Sequence, residues 1–237
     1  MRKQLLTAVI LSAAVLAAAC SARPGRGAPG TAPAAWRGPE IWQSEIAAFE
    51  RADAAGAHPA NAVLFVGSSS IRLWDLEKYF PGLPAVNRGF GGSYISDSVY
   101  YARRLTAPCK PRLIVFYAGD NDIADGKPPA RLAADLGAFV AAAREELPQV
   151  PVIYISIKPS PARWRLWPKI REANGLIKAY CLKQVRCSFL DVGTAMLGPD
   201  GKPAAGLYQA DGLHLTDKGY RLWSGLLAPL LAEEKIK

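Results

Sequence analysis

The chain has 237 residues, of which 50% are hydrophobic and 21% charged, with a formal net charge of +9. That composition excludes a disordered chain, and the length suits one good core while being too short for two large domains. The Lys and Arg residues are scattered rather than blocked, so they mark no nucleic-acid surface; the basic excess fits contact with anionic lipid or polymer instead.

The N-terminus opens with MRK, a positive segment, followed by the apolar run LLTAVILSAAVLAAA. This run falls short of the roughly 20 apolar residues that span a membrane as a helix and suits a secretory signal. It stops at Cys20, in LAAAC followed by Ser21. That ending resembles the lipobox of bacterial lipoproteins, whose cysteine carries diacylglycerol, although Ala17 stands where leucine is commoner. The expectation is a lipoprotein-type signal peptide over 1–19 and an exported chain held at the bacterial cell envelope through a lipid on Cys20, facing the periplasm or the exterior. A simple secreted or periplasmic protein is the alternative.

SARPGRGAPGTAPAA (21–35) is rich in Pro, Gly and Ala and carries no apolar period, so 20–35 reads as a flexible tether. Over 40–55, Ile41, Ile46 and Phe49 recur at roughly helical spacing and predict an amphipathic helix. Five short β-rich runs follow: VLFV (63–66), PAVN (84–87), LIVFY (113–117), VIYISI (152–157) and SFLDV (188–192). Helical stretches at 94–105, 130–147, 164–185 and 217–232 lie between and after them. Strands alternating with helices predict one domain over 36–237, a three-layer α/β/α sandwich on a parallel sheet. In such sheets ligands gather beyond the C-terminal ends of the strands.

The residues that follow the strands are polar and rich in glycine. The first strand leads into Gly67-Ser68-Ser69-Ser70, the second into Gly89-Phe90-Gly91-Gly92-Ser93, the third into Gly119-Asp120-Asn121-Asp122, and Asp211-Gly212-Leu213-His214 follows the last. Each turn alone is a weak signal, because serine, asparagine and glycine are ordinary turn residues. Their convergence on one sheet edge is a stronger one. The set resembles the SGNH (GDSL-type) hydrolase family, over most of 60–232. The resemblance implies a flavodoxin-like sandwich and hydrolysis of carboxylic esters, with Ser69 as nucleophile, His214 and Asp211 completing a triad, and Gly92 and Asn121 in the oxyanion hole. It implies no metal and no organic cofactor. The family's usual Asp before the nucleophile is Ser68 here, which leaves Ser68 and Ser70 to be told apart from Ser69; as helix-cap residues they would be structural.

The chemistry supports these residue types independently. A serine hydroxyl needs a base to accept its proton, and imidazole suits that task near neutral pH. His214 is the realistic base, since His58, in AGAHPAN before the first strand, reads as an ordinary surface residue. Asp211, three residues before His214, can orient the imidazole across a turn. With two histidines in the chain a histidine-rich metal site is excluded by inventory.

Trp164 and Trp167, in KPSPARWRLWPK (158–169), are candidates for an apolar or sugar-stacking wall, or else anchors of the following helix. Cys181 and Cys187 are near enough to pair across a helix-to-strand turn in an oxidising compartment, with Cys109 free and buried. The expected substrate is a small-molecule, carbohydrate or lipid ester, a short acyl or O-acetyl group ahead of a long chain. A lysophospholipid acylhydrolase, a thioesterase and a non-turning binding protein are the competing readings.

Overall fold

A computed structural model describes residues 37–56 and 58–236, with side chains as far as Glu233. The expected signal peptide, Cys20 and the tether lie outside the described residues.

Strands β1 (Val63–Gly67), β2 (Ala85–Gly89), β3 (Leu113–Tyr117), β4 (Val152–Ile155) and β5 (Cys187–Leu190) form one sheet. Their order is β2-β1-β3-β4-β5, and every neighbouring pair is parallel. The runs VLFVG, LIVFY and VIYI are rich in β-branched and aromatic residues and buried along their whole length, as strands covered on both faces must be.

The helices are α1 (Gln43–Ala54), α2 (Ser69–Arg72), α3 (Leu76–Tyr79), α4 (Ile95–Tyr100), α5 (Ala102–Thr106), α6 (Asp120–Ala124), α7 (Pro129–Glu146), α8 (Trp167–Lys183) and α9 (Asp217–Ile236). Because side chains alternate across a strand, each strand feeds two cores. Leu64, Val66, Ile114, Phe116 and Tyr154 pack with residues of α1, α4, α5, α7 and α8. Val63, Phe65, Val115, Tyr117 and Ile155 pack with Ile71, Trp74 and Phe80 and with Tyr220, Trp223 and Leu227 of α9. The result is a three-layer α/β/α sandwich. Among the described residues no helix is long and apolar enough to cross a membrane.

Several expected boundaries move. The helix expected over 40–55 begins as a 3-10 turn at Pro39–Trp42, and Ile41 is 46% exposed while Ile46 is fully buried. The stretch 94–105 breaks into α4 and α5 at Tyr101, whose ring is buried and whose hydroxyl donates to Pro39 O. The stretch 164–185 starts as a 3-10 segment, Pro161–Leu166, before α8. The fourth strand stops at Ile155 because side chains take over the backbone bonding. Ser156 Oγ accepts from Val192 N and Gly193 N, and Asn174 both accepts from Ile157 N and donates to Ile157 O.

The strand order reverses at β1, with β2 on one side and β3 on the other. Parallel α/β sheets bind ligands in the crevice outside the strand C-termini at such a switch point.

Candidate active site

The turn after β1 is stitched to both neighbouring strands. Phe90 N donates to Gly67 O, and Ser68 N donates to Tyr117 O. Gly67 has φ of +146°, and a Cβ there would lie 1.8 Å from Tyr117 O, so a side chain is excluded by sterics as well as by backbone conformation.

The three serines that follow have different surroundings. Ser68 is fully buried, and its Oγ has no hydrogen-bond partner among the described residues. Ser70 is buried too; its Oγ accepts from Lys158 Nζ at 3.1 Å, and its carbonyl accepts from the Tyr220 hydroxyl at 2.9 Å. Neither hydroxyl caps α2, so the expectation that these two serines serve as side-chain caps does not hold. Ser69, half-buried at the start of α2, is the one that meets an imidazole: its Oγ lies 3.0 Å from His214 Nε2.

His214 is held from behind. Its Nδ1 lies 2.5 Å from Asp211 Oδ2, and Asp211 Oδ1 accepts from the backbone N–H of Leu213 and His214. Those bonds, the Leu213 N–H foremost and then the imidazole, hold the Asp211 carboxyl down at about 2. A carboxylate that accepts from Nδ1–H leaves Nε2 as the acceptor for the serine proton. The loop is fixed in turn by Gln209, whose backbone N–H donates to His214 O and whose side chain donates to Leu215 O.

Gly92 and Asn121 lie in the turns that follow β2 and β3. Gly92 has φ of +82°, and a Cβ there would approach Trp42 at 3.4 Å. Asn121, in the first turn of α6, donates from Nδ2 to Ser93 O at 3.1 Å, which ties the two turns together. Among the described residues no acceptor is bonded to the backbone N–H of Ser69 or Gly92, so both remain available to an incoming oxygen. The structure therefore brings Ser69, Asp211 and His214 into one chain of contacts and sets Gly92 and Asn121 beside each other.

Beneath them lies a charged cluster that the sequence reading missed. Lys158, 1% exposed, donates from Nζ to Ser70 Oγ, to Tyr117 Oη and to Asp120 Oδ2 at 2.9 Å. Arg163 Nη1 lies 3.1 Å from the same Asp120 oxygen, and Arg163 Nη2 donates to Asn121 Oδ1 at 2.8 Å. Burial works to raise the Asp120 carboxyl, but Lys158 and Arg163 together hold it below the usual range. Next to it, burial raises the Asp122 carboxyl to about 6 against the pull of Lys127, while its oxygens accept from Ile95 N and Lys127 Nζ.

Gly92 and Asn121 open onto a cavity of about 180 Å³, lined also by Trp42, Tyr94, Asp97 and Arg163. Trp42 Nε1 donates to Asp97, whose carboxyl burial pushes up. Trp164 and Trp167 do not border this cavity. Their rings stack at 5.8 Å, and Trp167 packs against the core as an anchor of α8, so the aromatic wall belongs to Trp42 and Tyr94 instead.

His58 is not an ordinary surface residue. It is half-buried and contacts Asp53 and the buried Arg88 guanidinium, which lies 2.8 Å from His58 Nε2 and 3.7 Å from Cys109 Sγ. Asp53, His58 and Cys109 point ligand atoms at one place, and that place is taken by the arginine, whose charge the fold must neutralise there. Cys109 is a buried free thiol. Cys181 and Cys187 are free thiols 3.3 Å apart at the expected turn.

Residues 72–222 match the sequence profile of the GDSL-like Lipase/Acylhydrolase family, more than half of the chain, in a stretch that begins just after Ser69. No curated protein matches the chain. Among solved structures it is similar to a Streptococcus pneumonia protein named for platelet activating factor, with a TM-score of 0.74 and 20% identity over 81% of this chain and 93% of that one. It is similar to a GDSL-like lipase from Bacteroides thetaiotaomicron, at 0.70 and 22% over 79% and 97%. A carbohydrate esterase of family 3 from Talaromyces cellulolyticus follows at 0.55 and 17% over 76% and 100%. Likeness at these identities speaks for the fold. Taken with the profile match and the turns gathered at the switch point of the sheet, it leads to one conclusion: the chain belongs to the GDSL-like lipase/acylhydrolase family and is an ester-hydrolysing enzyme.

Proposed function

We propose that the chain hydrolyses short-chain carboxylic esters, O-acetyl esters foremost, through an acyl-enzyme on Ser69. The observation that carries this reading is the unbroken line from Ser69 Oγ to His214 Nε2 at 3.0 Å and from Nδ1 to Asp211 at 2.5 Å. In the first step the Ser69 oxygen attacks the ester carbonyl carbon, and its proton passes to His214 Nε2. Asp211 stabilises the imidazolium that forms. The carbonyl oxygen, now an anion, accepts from the N–H groups of Ser69 and Gly92 and from Asn121 Nδ2. Collapse expels the alcohol, which takes the proton from His214. Water, deprotonated by the same imidazole, then attacks the acyl carbon; collapse breaks the bond to Ser69 Oγ, which takes the proton back from His214 Nε2, and the acid is released.

The small acyl group follows from the cavity beside Gly92 and Asn121. At about 180 Å³, walled by Trp42 and Tyr94 and rimmed by the charged groups of Arg37, Asp97, Asp125 and Arg163, it has room for a small acyl group and is too small to enclose a long alkyl chain. Rates on p-nitrophenyl acetate, butyrate and palmitate test it. Acetate is expected to turn over fastest and palmitate slowest; a maximum at palmitate would favour the lipid acylhydrolase reading, and binding with no turnover of any ester the non-catalytic one.

We further infer export and anchoring through a diacylglycerol on Cys20. The support is the positive segment, the short apolar run and the small residues before the cysteine. Incorporation of labelled palmitate into the full chain, lost in Cys20→Ala, is the expected result. A wild-type chain that takes up no label contradicts the anchor.

A further inference from the structure

Building on the Ser69 reading, we propose that Arg163 is a positioning residue for the same reaction, fixing and polarising the Asn121 amide so that it presents an N–H to the developing oxyanion. A side-chain amide can sit in two orientations that exchange its oxygen and nitrogen. In one of them the oxyanion would meet an N–H, and in the other a carbonyl oxygen that repels it. Arg163 Nη2 can only donate, and it lies 2.8 Å from Asn121 Oδ1. Ser93 O can only accept, and it lies 3.1 Å from Asn121 Nδ2. Together they admit one orientation, with one Nδ2–H spent on Ser93 and the second left for substrate.

The charge of Arg163 adds to its geometry. Asp120 is 6% exposed and already pairs with Lys158, yet Arg163 lies on the same carboxylate oxygen at 3.1 Å with only 18% of its side chain exposed. One carboxylate is thus shared between two cations, one of which also holds the amide oxygen. A guanidinium bonded to Oδ1 draws electron density from the amide and strengthens Nδ2–H as a donor, and poor solvation keeps that effect from being screened.

The backbone carrying Arg163 is anchored to the other half of the site. Ala162 N donates to Gly212 O, inside the turn that joins Asp211 to His214, and a Cβ on Gly212 would meet Pro161 Cβ at 3.2 Å. One short segment thus touches both the amide donor and the loop of the base.

A double-mutant cycle on p-nitrophenyl acetate tests the proposal. Asn121→Ala is expected to lower kcat by about 10²–10³-fold. Arg163→Ala is expected to lower kcat by at least about 10-fold with KM nearly unchanged, since the interaction strengthens only as the oxyanion forms. In the Asn121→Ala background the Arg163→Ala change should have almost no further effect, an outcome that a purely structural arginine would not produce. Arg163→Met, which keeps most of the side-chain length but neither the donor nor the charge, should show the same loss, and it takes the place of Arg163→Ala in the cycle if that variant does not fold. Losses that multiply in the double variant, or a kcat unchanged by either Arg163 variant, overturn the proposal. Ser69→Ala, measured alongside, separates the two readings: full activity there sinks the Ser69 assignment itself, whereas an inactive Ser69→Ala with multiplying losses sinks only the role of Arg163.

Discussion

Ser68, Ser69 and Ser70 carry the same hydroxyl and differ in what each hydroxyl faces. Lysine Nζ meets one, imidazole another, and the third is enclosed without a partner among the described residues. Reactivity at this scale is set by partners, so removing a partner should act as strongly as removing the oxygen. Asp211→Asn keeps the shape of the turn while changing which imidazole nitrogen holds the proton, and is expected to lower kcat by about 10⁴-fold with little change in melting temperature. A loss under tenfold in steady-state assays would mean that Asp211 does not orient the base. A second residue-scale prediction concerns pH. The Asp122 carboxyl is raised to about 6 by burial, above the value near 4 of an unfolded chain. Between those two values the folded state binds more proton than the unfolded one, so this group's contribution to stability falls as pH rises through the window and is constant above it. The melting temperature of the wild type relative to Asp122→Asn should therefore drop from pH 4 to pH 6 and stay level beyond pH 7. Parallel profiles would contradict the raised carboxyl.

Among the elements, β1 and its exit turn carry the greatest constraint. Gly67→Ala would force a Cβ toward Tyr117 O in a backbone conformation that side chains avoid. It is expected to cost about 3 kcal/mol or more of stability by denaturant unfolding, a small effect showing that the turn can relax. Lys158 links the same turn to β3 and α6. Lys158→Met leaves Asp120 with Arg163 alone and frees Ser70 Oγ, and breaking such a buried pair typically costs about 3–5 kcal/mol. Elements also mark where sequence reading succeeds. Uniform apolar runs such as LIVFY announced themselves as buried strands, and the turns picked out by their serine, Asp-x-x-His and Gly-x-Asn-Asp residues include the contacts of Ser69 with His214 and of His214 with Asp211. Lys158 and Arg163 did not announce themselves. They sit in a loop of mixed composition, and their pairing with Asp120 exists only because β4 leaves the sheet beside β3. His58 was misjudged for a related reason: nothing near AGAHPAN signals that Arg88, on β2, is buried and needs acidic company.

For the whole molecule, the strand order matters most, because the reversal at β1 places the turn of β1 between those of β2 and β3. Short β-rich runs alternating with helical stretches were enough to anticipate the three layers. The cavity was not, since Trp42 and Tyr94 reach it from segments far apart in sequence, and apolar spacing cannot say which aromatic rings will face a ligand. The central claim is that this architecture delivers one activated serine to one imidazole. Mass spectrometry of the intact protein after treatment with a fluorophosphonate tests it most directly. The account predicts a single adduct, mapped by peptide digestion to Ser69, absent from Ser69→Ala and retained in Ser70→Ala. An adduct that persists in Ser69→Ala and disappears in Ser70→Ala would contradict it.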